Sequence, residues 1–408
     1  MSDLDQKVKD IVAHAYANAK AFQTRMLEAE LAPSDVESVT DLRKLSVFSK
    51  DQLIQLQQEN PPLGGMLAVP MSEIDHLYFS PGPVYEPGAL PDDDSWEVAK
   101  QLLEMAGFNS DDIVLNSLSY HLVPAGLLVD QGLVRMGCVV VPGGIGNSEL
   151  QLKMMKDLGC TAYAGTPSFL MSLIKKAEEI GLDFKNDFKV TKALVSAEPL
   201  PPSLRAEIEG YGIRVANAYG TAELGIFAVD CGDGPPLAMK LFDEPIVELL
   251  DPETGESVPA GTPGEVVVTN FNRAYPLIRF GTGDMALNLD PAPGKSKQSD
   301  RMITLVGRSG EASKVRGMFV HPNQIRFASS QVAGVLAVQG VVSRPELRDQ
   351  FSLRVELADG VDETAVTEQL KQAIKMVCRV GVDQVETVPT GTLTAESPGM
   401  VDERDWQK

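Results

Sequence analysis

The chain has 408 residues, too many for one ordinary hydrophobic core, so we expect two or three domains. With 43% apolar and 23% charged residues, its composition is typical of a soluble globular protein. The formal net charge of −21 repels phosphate groups over most of the surface, which argues against nucleic acid or an anionic membrane as a partner.

The first residues are polar and acidic, unlike a signal peptide, and every apolar run is shorter than a membrane span. The four cysteines lie far apart without a C-x-x-C pair, and the four histidines show no zinc-binding spacing. We therefore predict a cytoplasmic protein without membrane association, without a disulfide framework, and without zinc or another structural metal.

Apolar periodicity predicts an α/β fold for the first half of the chain. Helical spacing over residues 7–30 indicates an N-terminal helix, and short apolar strands then alternate with helices. Such alternation implies a parallel sheet that binds ligands at the carboxyl ends of its strands. The predicted strands cover residues 113–118, 138–141, 161–164 and 192–196.

The pattern changes after Cys231. Extended segments at 247–250, 264–270 and 303–306 are separated by turn sequences rich in Pro, Gly and Asp. Helical patterns no longer separate these strands, so neighbouring strands are expected to run in opposite directions. This part of the chain therefore predicts an antiparallel β module.

The last hundred residues predict a second, smaller α+β unit. We therefore expect a large N-terminal domain, residues 1–306, and a small mobile C-terminal domain, residues 307–408. A hinge at 307–311 would include a glycine whose φ is unrestricted. The predicted elements of the small domain are helices near 322–333 and 362–376 and strands near 335–343 and 350–357.

The segment from Tyr219 to Glu223 combines side chains that suit a nucleotide. Tyr219 can stack on a base, and Gly220 lets a ligand approach the backbone closely. Thr221 can hydrogen-bond a phosphate oxygen, and Glu223 can hold Mg²⁺. The alternative interpretation is a strand–turn–helix junction in which Tyr219 only fills the core.

Several short motifs occur in a fixed order along the chain. With this order and spacing the chain resembles the acyl-adenylate-forming (AMP-binding) superfamily and, within it, the phenylacetate–CoA ligase branch. The resemblance covers nearly the whole chain. Members of this family join a carboxylic acid to AMP, using ATP and Mg²⁺, and then replace AMP with CoA. The motifs lie at residues 163–168, 196–199, 218–223, 276–284, 307–309 and 314–322.

The resemblance implies a nucleotide site. In this family the residue matching Tyr219 lies against adenine, and the residue matching Asp284 grips the ribose hydroxyls. Thr221 and Glu223 match the phosphate-contacting hydroxyl and the magnesium ligand, which gives both a catalytic role. Without the motif order, Asp284 would be interpreted as a turn residue and Arg308 as a surface ion pair. The implied nucleotide-binding set is Ala197, Glu198, Pro199, Tyr219, Gly220, Thr221, Asp284 and Arg308.

The resemblance also implies a CoA-binding strand. In the family, the strand matching Lys314, Arg316 and Gly317 lines the CoA channel after the small domain rotates. Gly317 would allow close approach of the pantetheine arm, and Lys314 or Arg316 could contact the phosphates of CoA. The alternative is a solvated edge strand with basic residues.

The acyl group would bind near two loops that follow predicted strands. Family members place acyl-pocket residues at the positions of Tyr120 and His121. His121 could be a base or a ligand contact, although a lone histidine is more often structural. Gly143 and Gly144 would form another wall of the pocket, or a turn without ligand contacts.

Two segments depart from the family pattern. The loop that holds the ATP phosphates in relatives corresponds here to residues 79–88, which contain three prolines without an N–H and the acidic Glu86. A triphosphate should bind poorly, each lost charge-assisted hydrogen bond costing roughly 1.5–3 kcal/mol. The family also places a lysine on a late loop, whereas this chain has none between Lys375 and Lys408.

Three functions follow from these features. The leading one is an aryl- or acyl-CoA ligase that converts a small aromatic or short acyl carboxylate into its CoA thioester through an acyl-adenylate, using ATP, Mg²⁺ and CoA. The second is an ATP-independent acyltransferase that moves an acyl group between CoA and a thiol, such as that of a carrier protein. The third is a non-catalytic protein that binds AMP or acyl-CoA. Dimers occur in this branch, so a homodimer is one expectation.

Overall fold

A computed structural model describes most of the chain, and its internal contacts group the residues into two units. The larger unit contains residues 3–196 and 205–308, and the smaller contains residues 197–204 and the described residues from 313 onward. Residues 309–312 lie outside the described part, so the hinge and the boundary at 306 stay predictions. The described residues are 3–80, 83–88, 93–252, 254–261, 263–293, 295–308, 313–316, 318–320, 322–345, 348–378, 380–394 and 397–404.

Two helices, α1 (Asp3–Asn18) and α2 (Lys20–Glu28), replace the single helix predicted over residues 7–30. Ala19 separates them with an extended backbone, at φ −101° and ψ 107°. Ala19 is buried and apolar, so it continues the helical spacing of apolar residues across the break. The apolar pattern alone therefore did not reveal that the helix is interrupted. The two helices pack on a core that also contains Leu42 and Ile278.

The next part of the larger unit is the α/β layer. Short 3₁₀ turns at Pro33–Asp35, Thr40–Lys44 and Met71–Glu73 connect its first segments. The elements are β1 (Phe48–Ser49), α3 (Lys50–Glu59), β2 (His76–Ser80), β3 (Val84–Gly88), α4 (Asp93–Met105), β4 (Ile113–Asn116), α5 (Ala125–Met136), β5 (Val139–Pro142), α6 (Ser148–Leu158), β6 (Ala162–Gly165), α7 (Pro167–Glu179), α8 (Phe184–Asp187), β7 (Lys192–Val195), α9 (Pro202–Gly210) and β8 (Arg214–Thr221).

The predicted parallel sheet is present in this layer. Strands β4 to β8 pair in parallel in the spatial order β5–β4–β6–β7–β8. The strand order reverses at β4 and β6, because the chain moves to one side for β5 and then crosses to the other side for β6. Loops at the carboxyl ends of such strands border the usual ligand crevice of an α/β sheet.

An antiparallel module extends the same sheet beyond β8. Its strands continue the order from β9 through β10, β14, β13 and β12 to β11, and β1 joins β13 in parallel. Twelve strands of the described residues thus form one sheet that changes from parallel to antiparallel at β8. The added strands are β9 (Gly225–Asp230), β10 (Met239–Leu241), β11 (Ile246–Leu250), β12 (Pro263–Thr269), β13 (Phe280–Leu289) and β14 (Met302–Arg308).

The smaller unit is an α+β unit with its own core. Its main sheet has the order β19–β18–β17–β20, and a separate two-stranded ribbon pairs β15 with β16. Apolar residues of both helices and of β17 and β18, including Phe351 and Ile374, form this core. The elements are β15 (Ser313–Val315), β16 (Met318–Val320), α10 (Pro322–Ser330), β17 (Val335–Ser343), β18 (Gln350–Leu357), α11 (Glu363–Cys378), β19 (Gln384–Thr387) and β20 (Met400–Asp402).

The states of the cysteines and the lengths of the helices relate to the expectations of no disulfide framework and no membrane association. All four cysteine thiols are free, and burial raises the pKa of each one. A raised thiol pKa disfavours the thiolate, so these cysteines are poor nucleophiles. None of the helices described by the structure combines the length and apolar character needed to cross a bilayer.

Candidate active site

The segment from Tyr219 to Glu223 forms the end of strand β8 and the start of a β-hairpin turn. Strand β8 continues through Thr221 and pairs antiparallel with β9, with Thr221 opposite Gly225. A Cβ atom on Gly220 would lie 2.0 Å from the carbonyl oxygen of Gly225, so only glycine fits there. The strand–turn–helix interpretation is therefore wrong, because the hairpin ladder and not a helix satisfies these backbone groups.

Gly220→Ala is expected to destabilise the larger unit, because the added methyl group would push the Gly225 carbonyl out of the β8–β9 ladder. We expect the free energy of unfolding, measured by denaturant titration, to fall by about 1–3 kcal/mol. The control is Gly210→Ala at the end of α9, where the new methyl group meets open space and the change should stay below about 1 kcal/mol. Equal stability of the two variants would contradict the steric argument.

Tyr219 and Asp284 meet although they are far apart in the sequence. The Tyr219 hydroxyl donates a hydrogen bond to Oδ2 of Asp284 at 2.9 Å. The Tyr219 ring packs edge-on against Phe227, with ring centroids 4.9 Å apart, and only 7% of the residue is exposed. Tyr219 is therefore both a core residue and the polar partner of Asp284.

Asp284 lies on β13, opposite Arg308 of β14 in the register. Its N–H donates to the Thr282 hydroxyl at 3.1 Å, and the N–H of Gly283 donates to Oε1 of Glu265 at 3.2 Å. Burial, reinforced by the charge of Asp284, raises the pKa of Glu265. The side chain of Arg308 lies outside the described part of the chain, so its role beside Asp284 stays a prediction.

Glu223 forms an ion pair that sequence reasoning missed. Nζ of Lys50 lies 2.6 Å from Oε1 of Glu223, whose side chain is only 3% exposed. Burial by itself would raise the pKa of Glu223, but the nearby charge of Lys50 leaves the pKa below its ordinary value. Glu223 is therefore a buried, ionised carboxylate, which is the state that a cation ligand requires.

The position of Lys50 follows from the local fold. Strand β1 pairs with β13, placing Ser49 opposite Gly281. Ser49 then caps α3, since its hydroxyl accepts a hydrogen bond from the Gln52 N–H at 3.2 Å. Lys50 is thus the first residue of a helix, where the helix dipole disfavours a cation. A lysine in this unfavourable place is the sequence signal that could have indicated an acidic partner.

Glu86 interacts electrostatically with Glu223, but Glu86 is protonated whereas Glu223 is ionised. The described residues of the segment 79–88 belong to strands β2 and β3, which pair with each other, and Glu86 is buried there and accepts a hydrogen bond from the Ser80 hydroxyl. Burial and the charge of Glu223 raise the pKa of Glu86 to about 8. The negative charge expected at Glu86 is therefore wrong for neutral pH, because the carboxyl group is mostly protonated there.

Glu86→Gln is expected to change how stability depends on pH. The unfolded chain loses the Glu86 proton near pH 4.5 and the folded protein near pH 8. Between these values the folded state binds more protons, so this group's contribution to stability falls as pH rises, by at most about 1.4 kcal/mol per pH unit. Glu86→Gln should remove this fall.

The pH test compares free energies of unfolding at pH 5 and pH 8. Relative to the parent, Glu86→Gln should gain stability on going from pH 5 to pH 8. Glu59→Gln, at an exposed site on α3, serves as the control and should show no such gain. If the free energies of unfolding of Glu86→Gln and of the parent differed by the same amount at pH 5 and pH 8, the protonated state of Glu86 would be contradicted.

The predicted acyl-pocket residues lie on loops after β4 and β5. The Tyr120 hydroxyl donates to Oδ2 of Asp130 at 2.7 Å and accepts from Nδ2 of Asn116 at 2.8 Å. The Asn116 carbonyl accepts the N–H of Gly144 at 3.1 Å, and a Cβ atom on Gly144 would lie 3.9 Å from the Tyr120 ring. Tyr120 and Gly144 therefore meet, whereas His121 is exposed.

Gln151 of α6 fixes the glycine loop from inside. Its Nε2 donates to the carbonyl oxygens of Gly144 at 2.9 Å and Gly146 at 2.7 Å. Both glycines have positive φ, and a Cβ atom on Gly143 would lie 2.8 Å from Leu115. Gly143 is thus closely packed, and Gln151 holds the backbone of the loop by hydrogen bonds. Sequence analysis missed Gln151, because nothing in a helical sequence marks one amide as a loop anchor.

The segment Ala197-Glu198-Pro199 directly follows β7. Ala197 has a φ of 70°, a left-handed conformation that costs a non-glycine residue roughly 1–2 kcal/mol and is concentrated at functional sites. Just before it, the Ser196 hydroxyl donates to the carbonyl oxygen of Ala218 at 2.8 Å. This bond ties the ends of β7 and β8 together. Because the segment groups with the smaller unit, its place beside the nucleotide stays a prediction.

The predicted CoA-binding residues belong to the β15–β16 ribbon. The side chain of Lys314 and the whole of Gly317 lie outside the described residues. The guanidinium of Arg316 donates to the carbonyl oxygen of Asp349 at 3.1 Å and pairs with Asp383. Arg316 is therefore bound to its own unit, and its contact with a CoA phosphate stays a prediction.

Glu223 is the side chain best suited to Mg²⁺. In the described part of the chain, no group of three or more His, Cys, Asp or Glu side chains is arranged to hold a metal ion. Mg²⁺ is commonly held by one or two carboxylates together with substrate phosphates, so one ionised carboxylate fits this ion. The expected absence of zinc stays a prediction.

Comparison with known proteins decides the family. Residues 95–273 match the family model described as AMP-binding enzyme. Phenylacetate–coenzyme A ligase of Pseudomonas putida is 31% identical over 332 residues, which cover 78% of this chain and 73% of that enzyme. The chain belongs to the phenylacetate–coenzyme A ligase family. The family member of Escherichia coli (strain K12) is 28% identical over 382 residues, covering 90% of this chain and 82% of that enzyme.

A solved structure supports the fold of this phenylacetate–coenzyme A ligase family member. The chain superposes on 2-hydroxyisobutyryl-CoA ligase, in complex with 2-HIB-AMP and CoA, with a TM-score of 0.87. The two are 23% identical, and the match covers 99% of this chain and 89% of that one. The predicted family, the α/β adenylate-forming fold and the class of acid–thiol ligase are thereby confirmed.

The larger unit of this family member brings together some predicted site residues. Tyr219 joins Asp284, and Glu223 joins Lys50, which was not predicted. Tyr120 joins Gly144 on the neighbouring loops.

Proposed function

We propose that this enzyme joins a small aromatic or short acyl carboxylate to CoA through an acyl-adenylate. The observation that carries the proposal is the hydrogen bond between Tyr219 and Asp284 at the carboxyl end of β8. It places an aromatic ring and a carboxylate together, the pair that an adenosine needs for its base and its ribose hydroxyls. Ala197, Glu198 and Pro199 would complete the nucleotide site, with Arg308 near the ribose.

The proposed chemistry begins with attack of the substrate carboxylate on the α-phosphorus of ATP, which releases pyrophosphate. Glu223 would hold Mg²⁺, which neutralises phosphate charge, and the Thr221 hydroxyl would hydrogen-bond a phosphate oxygen. The protonated Glu86 supports this proposal, because a neutral carboxyl group does not repel the incoming triphosphate. In the second step the CoA thiol attacks the acyl carbon, a thioester forms, and AMP leaves.

Lys50 offers a substitute for the missing lysine of the tail. Its side chain is partly exposed, and its ammonium lies beside the buried carboxylate of Glu223. A cation in this position can stabilise negative charge that develops on the reacting carboxylate and phosphate. We therefore assign Lys50 the electrostatic role that relatives give to a lysine of the small domain.

The acyl group would lie between the loops after β4 and β5. Tyr120 is held by Asp130 and Asn116, so its ring would be a fixed wall of the pocket. Gly144 would extend this wall beside the Tyr120 ring, and Gly143, whose side-chain position is filled by Leu115 and Gln151, would contribute only its backbone. His121 is exposed and is assigned at most a contact at the pocket entrance.

The decisive experiment incubates the enzyme with ATP, Mg²⁺, CoA and a panel of aromatic and short-chain acids. AMP, pyrophosphate and acyl-CoA should form in equal amounts with at least one acid. Transfer from a preformed acyl-CoA to a carrier-protein thiol, without ATP, would instead indicate the acyltransferase. Binding of AMP or acyl-CoA without any turnover would indicate the non-catalytic protein.

We propose free CoA as the acceptor in preference to a carrier-protein thiol, a cytoplasmic location, and a homodimer as in other members of the branch. Comparison of CoA with an acyl-carrier protein in the same assay tests the acceptor. Size-exclusion chromatography with light scattering tests the homodimer. A molar mass near 44.0 kDa, that of one chain, would contradict a dimer.

A further inference from the structure

The turn of the β15–β16 ribbon contains an unusual residue. Val315 pairs with Met318, so the chain reverses direction directly after Val315, at Arg316. The φ of Arg316 is 50°, in the left-handed region. Two-residue hairpin turns favour Gly, Asn or Asp at such positions, because larger side chains are strained there. The arginine side chain must therefore form contacts that offset this strain.

These contacts hold the turn from both the backbone and the side chain. The N–H of Arg316 donates to Oδ2 of Asp349 at 3.1 Å, and its Nε donates to the Asp349 carbonyl oxygen at 3.1 Å. Its Nη1 donates to the Gly381 carbonyl oxygen at 3.3 Å, and its Nη2 pairs with Asp383. The guanidinium thus forms three contacts within its own unit.

Asp349 connects the turn to other parts of the small unit. It is 6% exposed and accepts hydrogen bonds from Nε of Arg344 at 2.8 Å and from Nη1 of Arg404 at 3.2 Å. Arg404 in turn pairs with Asp402, the last residue of β20. One buried carboxylate therefore links the turn, the end of β17 and the C-terminal strand.

The network is balanced in charge, with three arginines and three aspartates. The pairs around Asp349 are buried, whereas the Arg316–Asp383 pair is about one third exposed. Both kinds of ion pair add little net stability, because desolvation or solvent screening offsets their attraction, whereas their directional hydrogen bonds define a geometry. The turn is therefore held by contacts of Arg316 with Asp349, Gly381 and Asp383, and not only by the hydrogen bonds of its own ribbon. The members are Arg316, Arg344, Arg404, Asp349, Asp383 and Asp402.

We propose that Arg316 and Asp349 are positioning residues that hold the β15–β16 turn in place for the CoA-dependent step. The inference rests on the proposed function, in which this ribbon lines the path of CoA. Arg316 acts through the backbone of the turn and does not bind a CoA phosphate. This replaces the phosphate contact that the sequence suggested for Arg316.

The test measures the two half-reactions separately in the full-length enzyme. Pyrophosphate exchange reports adenylation, and conversion of a synthetic acyl-adenylate by CoA reports thioester formation. Arg316→Asn keeps a residue suited to the turn but removes its attachment. We expect thioester formation to fall roughly 10- to 100-fold, since small misplacements of reacting groups have such effects, with adenylation unchanged.

Comparison of CoA with dephospho-CoA separates positioning from binding of the 3′-phosphate. A positioning role predicts the same fold-loss with both thiols in Arg316→Asn. If the loss were confined to CoA, Arg316 would bind the 3′-phosphate and the proposal would be overturned. Equal losses in both half-reactions would also overturn it, because the effect would then not belong to the CoA step.

Two further variants guard against misfolding of the small unit. Asp383→Asn alters the more exposed partner of Arg316 and should reduce thioester formation in the same direction. Arg354→Asn removes exposed ion pairs of β18 that lie outside the network, and should leave both half-reactions unchanged. A parent enzyme that makes thioester from acyl-adenylate but shows no pyrophosphate exchange would contradict the proposed adenylation only. A parent without either reaction would overturn both proposals.

Discussion

Replacing Glu223 by Gln is expected to reduce acyl-adenylate formation by about 100-fold or more, a loss typical of removing one charged group from a transition-state site. The substitution keeps the size of the side chain but removes the buried negative charge that would hold Mg²⁺. It also leaves the ammonium of Lys50 without its carboxylate partner. The measurement is pyrophosphate exchange at saturating acid, over a range of Mg²⁺ concentrations.

The matched control for Glu223→Gln is Glu248→Gln. Glu248 pairs with buried Arg279 at 3.0 Å in the same unit, so both substitutions break a largely buried ion pair of a glutamate. Glu248→Gln should lower stability but leave exchange per folded molecule near the parent value. If Glu223→Gln retained exchange with an unchanged Mg²⁺ dependence, the proposed role of Glu223 in holding Mg²⁺ would be dismissed.

Replacing Lys50 by Met is the second substitution with a large expected effect. Without the ammonium, burial would act to raise the pKa of Glu223, and the developing negative charge of the reaction would lose its cation. We expect adenylation to fall by about 100-fold. Rapid-quench measurement of acyl-adenylate in a single turnover tests this directly.

Lys50→Arg and Lys20→Met are the comparisons for Lys50→Met. Arginine keeps the charge at the start of α3, so Lys50→Arg should lose less activity than Lys50→Met. Lys20 is an exposed lysine at the start of α2, and Lys20→Met should have no effect on adenylation. Full activity of Lys50→Met would mean that another cation supplies the charge, contrary to the proposal.

Local sequence patterns were enough to predict the class of the fold. The strand–helix alternation from β4 to β8 appears in the sequence because each element buries apolar residues at its own period, 2 for strands and 3.6 for helices. The same holds for β17 and β18, whose predicted limits agree with Val335–Ser343 and Gln350–Leu357. Element ends were less well predicted, as in the break at Ala19, because one residue barely disturbs a period.

The site was predictable only in part. Tyr219 and Asp284 were named from motif order, and their hydrogen bond agrees with a shared site. Lys50 was missed, because pairing of β1 with β13 brings it to Glu223 across most of the larger unit. No local sequence pattern indicates that β1 pairs with β13. A lysine at a helix N-terminus was the one local sign that Lys50 has an acidic partner.

The sequence by itself determined the family, the order of elements and the identity of most polar groups at the proposed site, because motifs and periodicity are properties of neighbouring residues. Only the tertiary structure decided their chemical state. Glu86 and Glu223 are both buried glutamates, yet burial leaves Glu86 mostly protonated, while Lys50 keeps Glu223 ionised. The free energy of a charge depends on the groups that surround it in space, and the fold alone brings those groups together.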